Sequence, residues 1–160
     1  MVAISMPKIT SVYDRLVRDF RDINFVIGDD FHWSAIDRTI THPSIDSEDS
    51  FSLLLHEVGH AKLDHYQYSR DIELIDMERQ AWEHAVTKLA PQYGHSLAMD
   101  DDVVQDALDS YRNWLHARSS CPGCQAIGIE VSILYYGCLV CQSNWRVNEA
   151  RVCQLRRFKQ

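Results

Sequence analysis

No stretch of this 160-residue chain is apolar over the roughly 20 residues that a bilayer-spanning helix needs. The N-terminus also lacks the succession of basic, apolar and small residues that marks a secretory signal. These absences argue against a helical membrane protein and make the cytoplasm the expected location. Internal repeats and low-complexity tracts are missing too, which leaves an ordinary globular chain. Cysteine does not occur before residue 121, so neither disulfides nor thiolate sites are available to the first three quarters of the chain. Positive charge is scarce there as well: residues 1–117 carry ten Lys and Arg against 21 Asp and Glu, a balance of −11.

The remaining residues reverse both trends. Residues 118–160 hold six basic residues against two acidic ones, and all five Cys. A change of sign and composition near Ala117 predicts a domain over 1–117 and a small appendage over 118–160, with different prospective partners.

The first part is organised around Leu53-Leu54-Leu55-His56-Glu57-Val58-Gly59-His60. This is H-E-x-x-H inside an apolar helical run. Residues four apart on a helix lie on one face, so His56 and His60 can share one metal ion. Glu57 stands beside them, where it can take a proton from a metal-bound water. Eight His and seven Glu in a chain of this length give only about 0.02 chance matches to the pattern.

Around this run, the 3.6-residue period predicts an amphipathic helix over about 9–20, with Val12, Leu16, Val17 and Phe20 inward. Short β-type runs follow at Phe25–Ile27, Phe31–Trp33 and Arg38–Thr41, with Pro43 ending the last. Asp46-Ser47-Glu48-Asp49 supplies N-caps and acidic first-turn residues for the H-E-x-x-H helix, expected to run through Leu63 or beyond. A second helix is expected over 72–89, ended by Ala90-Pro91, and a third begins at Asp100–Asp102. Gly59 lowers helix propensity and suggests either close approach of another backbone or a tolerated glycine.

A catalytic zinc usually has three protein ligands. His65, five residues past His60, points about 140° away if the helix continues, and no glycine intervenes to break it. Asp64 shares the face of His56 and His60 and suits a partner for a ring N–H or a solvated helix end. Glu78 sits inside the apolar stripe of the second helix, between Ile75, Ala81 and Trp82, where a bare carboxylate is expensive. A cation there removes that expense, so Glu78 is the expected third ligand. Glu73 and Glu83 should face solvent.

His56-Glu57-Val58-Gly59-His60, followed by Glu78-Arg79-Gln80-Ala81-Trp82, resembles the gluzincin metallopeptidases. The ImmA/IrrE type and the minimal single-domain gluzincins are nearest, and the resemblance covers about residues 25–95. It implies a zinc metallopeptidase hydrolysing a protein or peptide, with His56, His60 and Glu78 on zinc and Glu57 as general base and acid. It also implies that the strand at about 38–41 offers its edge to an extended substrate. Tyr68, His84, Tyr93 and His95 are open candidates for stabilising the oxyanion.

Cys121-Pro122-Gly123-Cys124 and Cys138-Leu139-Val140-Cys141 are thirteen residues apart. That spacing predicts a structural zinc on four thiolates, with hairpin arms over 127–136 and Trp145 over the knuckle. A ribbon placed after a peptidase domain resembles SprT-type proteins, although those use a further His where this chain has Glu78. Cys153 is left over as a free or packed thiol. Arg146, Arg151, Arg156, Arg157 and Lys159 form a basic tail suited to phosphates, a protein partner or the acidic domain itself. The expected fold is α+β: a small antiparallel sheet on helices, H-E-x-x-H on the central helix, and a C-terminal zinc ribbon. The rival reading is a zinc-ribbon adaptor for nucleic acid or protein with little or no proteolytic activity.

Overall fold

The computed structural model describes residues 6–149 and 157–159. The chain is α+β and divides into two compact units that interleave along the sequence. One comprises Met1–Tyr66 with Met77–Asp106, the other Gln67–Asp76 with Ala107–Gln160. The expected division at 117/118 falls inside a helix, α5 below. No helix among the described residues is long and apolar enough to cross a membrane.

In the first unit, α1 (Met6–Asp19) buries Ile9 and Leu16, and Phe20 is buried just past its end. Strands β1 (Asn24–Ile27), β2 (His32–Ser34) and β3 (Thr39–His42) form a sheet in the order β1-β3-β2. The expectation of an antiparallel sheet is corrected here: β2 and β3 are antiparallel, but β1 and β3 run parallel, with Phe25 opposite Ile40. The hairpin folds β3 back into the gap between β1 and β2. Strands of three or four residues carry too little pattern to reveal that order. It also corrects a second expectation. The strand at 38–41 is the central one, paired on both sides, and offers no free edge.

Helix α2 (Glu48–Lys62) starts at a capping box. The Ser47 hydroxyl accepts from the Ser50 N–H at 3.1 Å, and the Ser50 hydroxyl accepts from the Ser47 N–H at 3.0 Å. Glu48 and Asp49 in the first turn complement the helix dipole. From Phe51 to Ala61 all but one residue is buried, the mark of a helix enclosed by its own unit. Each fully buried Leu or Val on it, such as Leu54, Leu55 and Val58, contributes about 1.5–3 kcal/mol.

Helix α3 (Asp71–His84) passes into a π-helical turn at Ala85–Leu89 and then α4 (Ala90–Gln92). Pro91 therefore does not stop the helix at Leu89. Having no N–H, it cannot continue the i→i−4 ladder. The ladder has already slipped by one residue, with the Ala90 N–H bonded to the Ala85 carbonyl.

In the second unit, α5 (Asp102–Ser119) brings its C-terminal part to a sheet of β4 (Ile129–Ser132), β5 (Tyr135–Gly137), β6 (Asn144–Val147) and β7 (Arg157–Lys159), in that order. Cys121, Tyr136, Cys138, Trp145 and Val147 form its core, with Tyr136 and Trp145 stacked at 5.7 Å. Trp145 thus packs with two of the knuckle cysteines. Gly128 faces the Trp145 ring so closely that a Cβ would lie 2.4 Å from it. Asp71, Arg118 and Tyr136, all buried, form a polar network: Arg118 donates to Asp71 at 2.7 Å, and the Tyr136 hydroxyl donates to the same carboxylate. The Asp71 N–H donates to Glu130 at 2.7 Å.

Candidate metal centre

Two clusters of metal-ligating side chains stand out among the described residues. The first is His56, His60 and Glu78, all buried. The two His come from successive turns of α2, and Glu78 comes from α3, seven residues into that helix. The His56 Nε2 lies 2.9 Å from Glu78 Oε2 and 3.1 Å from His60 Nε2, and His60 Nε2 lies 3.4 Å from Glu78 Oε2. A tetrahedral ion with N and O ligands at 2.0–2.1 Å needs donor spacings of about 3.4 Å. The triangle is of that size, slightly contracted.

Its electrostatics also suit a cation. Burial alone would push the Glu78 carboxyl up, but hydrogen bonds from His56 and His60 outweigh it and hold the carboxyl well below the usual range. The same two imidazoles thus favour the charged form of a buried carboxyl.

Gly59 explains how α3 comes so near. A Cβ there would lie 2.5 Å from the carbonyl oxygen of Ala81, one helical turn beyond Glu78. Of the two readings open for this glycine, close approach of a second backbone is the one observed. Trp82, next to Ala81, stacks on the His56 ring at 4.3 Å and 21°. Glu57 is 9 % exposed, and among the described residues nothing hydrogen-bonds or pairs with its carboxylate.

His65 departs from the expectation. Helix α2 does not continue: Asp64 adopts φ +52°, a conformation Asp tolerates better than most residues. The His65 N–H returns to the His60 carbonyl at 3.0 Å, and the Asp64 N–H to that of Ala61 at 3.3 Å. This double closure is a Schellman turn, with Asp64 where glycine is usual. It turns the His65 ring back until its Nδ1 lies 2.9 Å from His60 Nδ1. The missed signal was the aspartate, which can take the glycine's part. Asp64 itself points to solvent, its side chain 85 % exposed and 3.8 Å from Arg38.

The other acidic candidates face outward: Glu73 caps the Ser69 and Arg70 N–H groups, and Glu83 pairs with Arg79. Of the oxyanion candidates, Tyr93 donates to Asp19 at 2.7 Å, and the His95 ring is 2.7 Å from the Ser52 hydroxyl. Both are engaged in packing. His84 is half-buried, and burial pushes its imidazole down. Tyr68 is half-buried at the start of the second unit.

The second cluster is Cys121, Cys124, Cys138 and Cys141. Cys121 and Cys141 sulfurs lie 3.5 Å apart, as do those of Cys124 and Cys138. That is too long for a disulfide. It approaches the spacing of about 3.8 Å expected around a tetrahedral ion with sulfur at 2.3 Å. Gly123 N–H donates to Cys121 Sγ and Cys141 N–H to Cys138 Sγ, which favours thiolates. The Cys141 thiol is drawn down to about 6, first by its hydrogen bond with Ser143, whereas the Cys124 thiol, lowered by the Ala126 backbone but raised more by its sulfur neighbours led by Cys138, is pushed up to about 11. The cluster is compatible with a zinc ribbon. Of the basic tail, Arg146 is exposed on β6 and the Arg157 and Lys159 backbones lie in β7. Arg151, Cys153 and Arg156 lie outside the described residues.

Together the two groups define a chain with one three-donor and one four-thiolate metal-type site. No protein family, curated protein or solved structure matches it.

Proposed function

We propose that the chain is a zinc-dependent metallopeptidase, in which His56, His60 and Glu78 hold the catalytic ion and Glu57 is the general base and acid. The observation that carries this reading is the convergence of three buried ligand atoms, all within 4.8 Å of one another, with Glu57 next to His56 on the same helix. Three protein donors leave zinc a fourth position, whereas four thiolates leave none. When bound, zinc supplies a Lewis acid for the scissile carbonyl and acidifies the attacking water. Glu57 receives that water's proton and passes it to the departing amine. Glu78 balances charge, and Trp82 holds the His56 ring in place. An extended peptide fits the outer edge of β2 rather than β3, because β2 is free on one side and its Trp33 donates to the His65 carbonyl at 3.1 Å.

The four-cysteine unit carries the structural zinc in this reading. Glu57→Gln tests the whole proposal. Zinc content should stay at two per chain while cleavage falls by at least about 100-fold. Mass spectrometry of proteins cut by the unmodified chain but spared by the variant then identifies the substrate. Equal cleavage by both forms overturns the assignment. A function that survives Glu57→Gln but is abolished by Cys121→Ser belongs instead to an adaptor.

A further inference from the structure

The two histidines of the trio are supported differently. The Nδ1 of His56 is buried and has no hydrogen-bond partner among the described residues. The Nδ1 of His60 faces His65 Nδ1 at 2.9 Å. Two ring nitrogens at that distance share one proton, which sits on one of them and is accepted by the other. A His that ligates a metal through Nε2 keeps its proton on Nδ1. His60 is then the donor and His65 the acceptor, with the His65 proton on its own Nε2. That leaves the far side of the His65 ring as a donor, and the Gln80 side chain is a further hydrogen-bond partner of this ring.

We infer that His65 is a positioning residue of the metal centre: it accepts the Nδ1 proton of His60 and so fixes His60 as an Nε2 ligand. The inference rests on reading the trio as a metal site. His65 is suited to the task because its place is set from three directions. Its N–H is tied to the His60 carbonyl by the turn that ends α2. Its carbonyl accepts from Trp33 on β2. Its ring meets Gln80 on α3. The ring is not itself among the three converging ligands.

The test is zinc affinity, measured on the full chain by competition with a chromophoric chelator, after the four-cysteine site is loaded. His65→Phe keeps a planar ring but has no acceptor. His65→Asn places a carbonyl oxygen near the position of Nδ1. His65→Phe should weaken the second zinc equivalent by about 10–100-fold. His65→Asn should recover most of that loss. Circular dichroism and loading of the four-cysteine site show whether each variant is folded. Unchanged affinity in His65→Phe overturns the inference, and so does an equal loss in His65→Phe and His65→Asn, which would make the ring a packing element. An unmodified chain that takes up no second zinc overturns the metal reading itself. The outcome does not depend on peptidase activity.

Discussion

An alanine in place of Gly59 would raise the helix propensity of α2 by up to about 1 kcal/mol. The same methyl would lie 2.5 Å from the Ala81 carbonyl oxygen, a backbone atom that cannot rotate away. Overpacking of this kind costs about 1–3 kcal/mol, so the clash outweighs the propensity. Gly59→Ala should therefore destabilise the chain in denaturant unfolding, and displacement of α3 should weaken zinc binding along with it. A more stable Gly59→Ala protein would show that α3 has room to shift. At this scale the sequence was informative wherever spacing alone decides geometry. His56 and His60 share a face because they are four apart, and Glu78 was conspicuous as a carboxylate in an apolar stripe. His65 was not legible, because its position depends on a single backbone angle at Asp64.

Among the elements, α3 has chemistry at both ends of its path. Seven residues before Glu78, it begins at Asp71, whose carboxylate is buried with the Arg118 guanidinium. The guanidinium also donates to the Asn148 carbonyl and lies over the Trp114 ring at 4.4 Å. Removing one partner of such a pair leaves an uncompensated charge in the interior, at about 3–5 kcal/mol. Asp71→Ala should lower the urea midpoint accordingly, while Glu73→Ala, which removes only an exposed cap of the same helix, should cost about 1 kcal/mol. Comparable losses would mean that Arg118 finds water or another acceptor. Helices were readable from period and caps, and the short strands from their composition. Strand order was not, since nothing in three-residue segments distinguishes β1-β3-β2 from a meander. Neither was the Asp71–Arg118 pair, for an acid and a base 47 positions apart leave no periodic trace.

For the whole molecule, the sequence suggested a cut at the change of charge, whereas the compact units interleave because Gln67–Asp76 clusters with the C-terminal residues. The two metal-type sites nonetheless fall in different units, and their donors differ in kind. Nitrogen and carboxylate donors, three in number, hold zinc less firmly than four thiolates do, and the three-donor site keeps a position open to an incoming ligand. A chelator should therefore strip the sites in sequence. On the proposed function, the first zinc should leave from His56, His60 and Glu78, abolishing cleavage while the Tyr136 and Trp145 near-ultraviolet circular dichroism is retained. Unit 1 has its own apolar interior, built on Leu54, Leu55, Val58 and Trp82, and should remain folded without its ion. The second zinc should require a stronger chelator or a thiol reagent. Its loss should remove the Tyr136 and Trp145 contribution and leave that of Trp33 and Trp82 in the first unit, because two of the four cysteines belong to the same small core as the former pair. Metal content by atomic absorption, followed with the aromatic signal and cleavage, resolves the order. Simultaneous loss of both ions, or an aromatic signal left undiminished by full removal, would show that the four thiolates do not hold the second unit together.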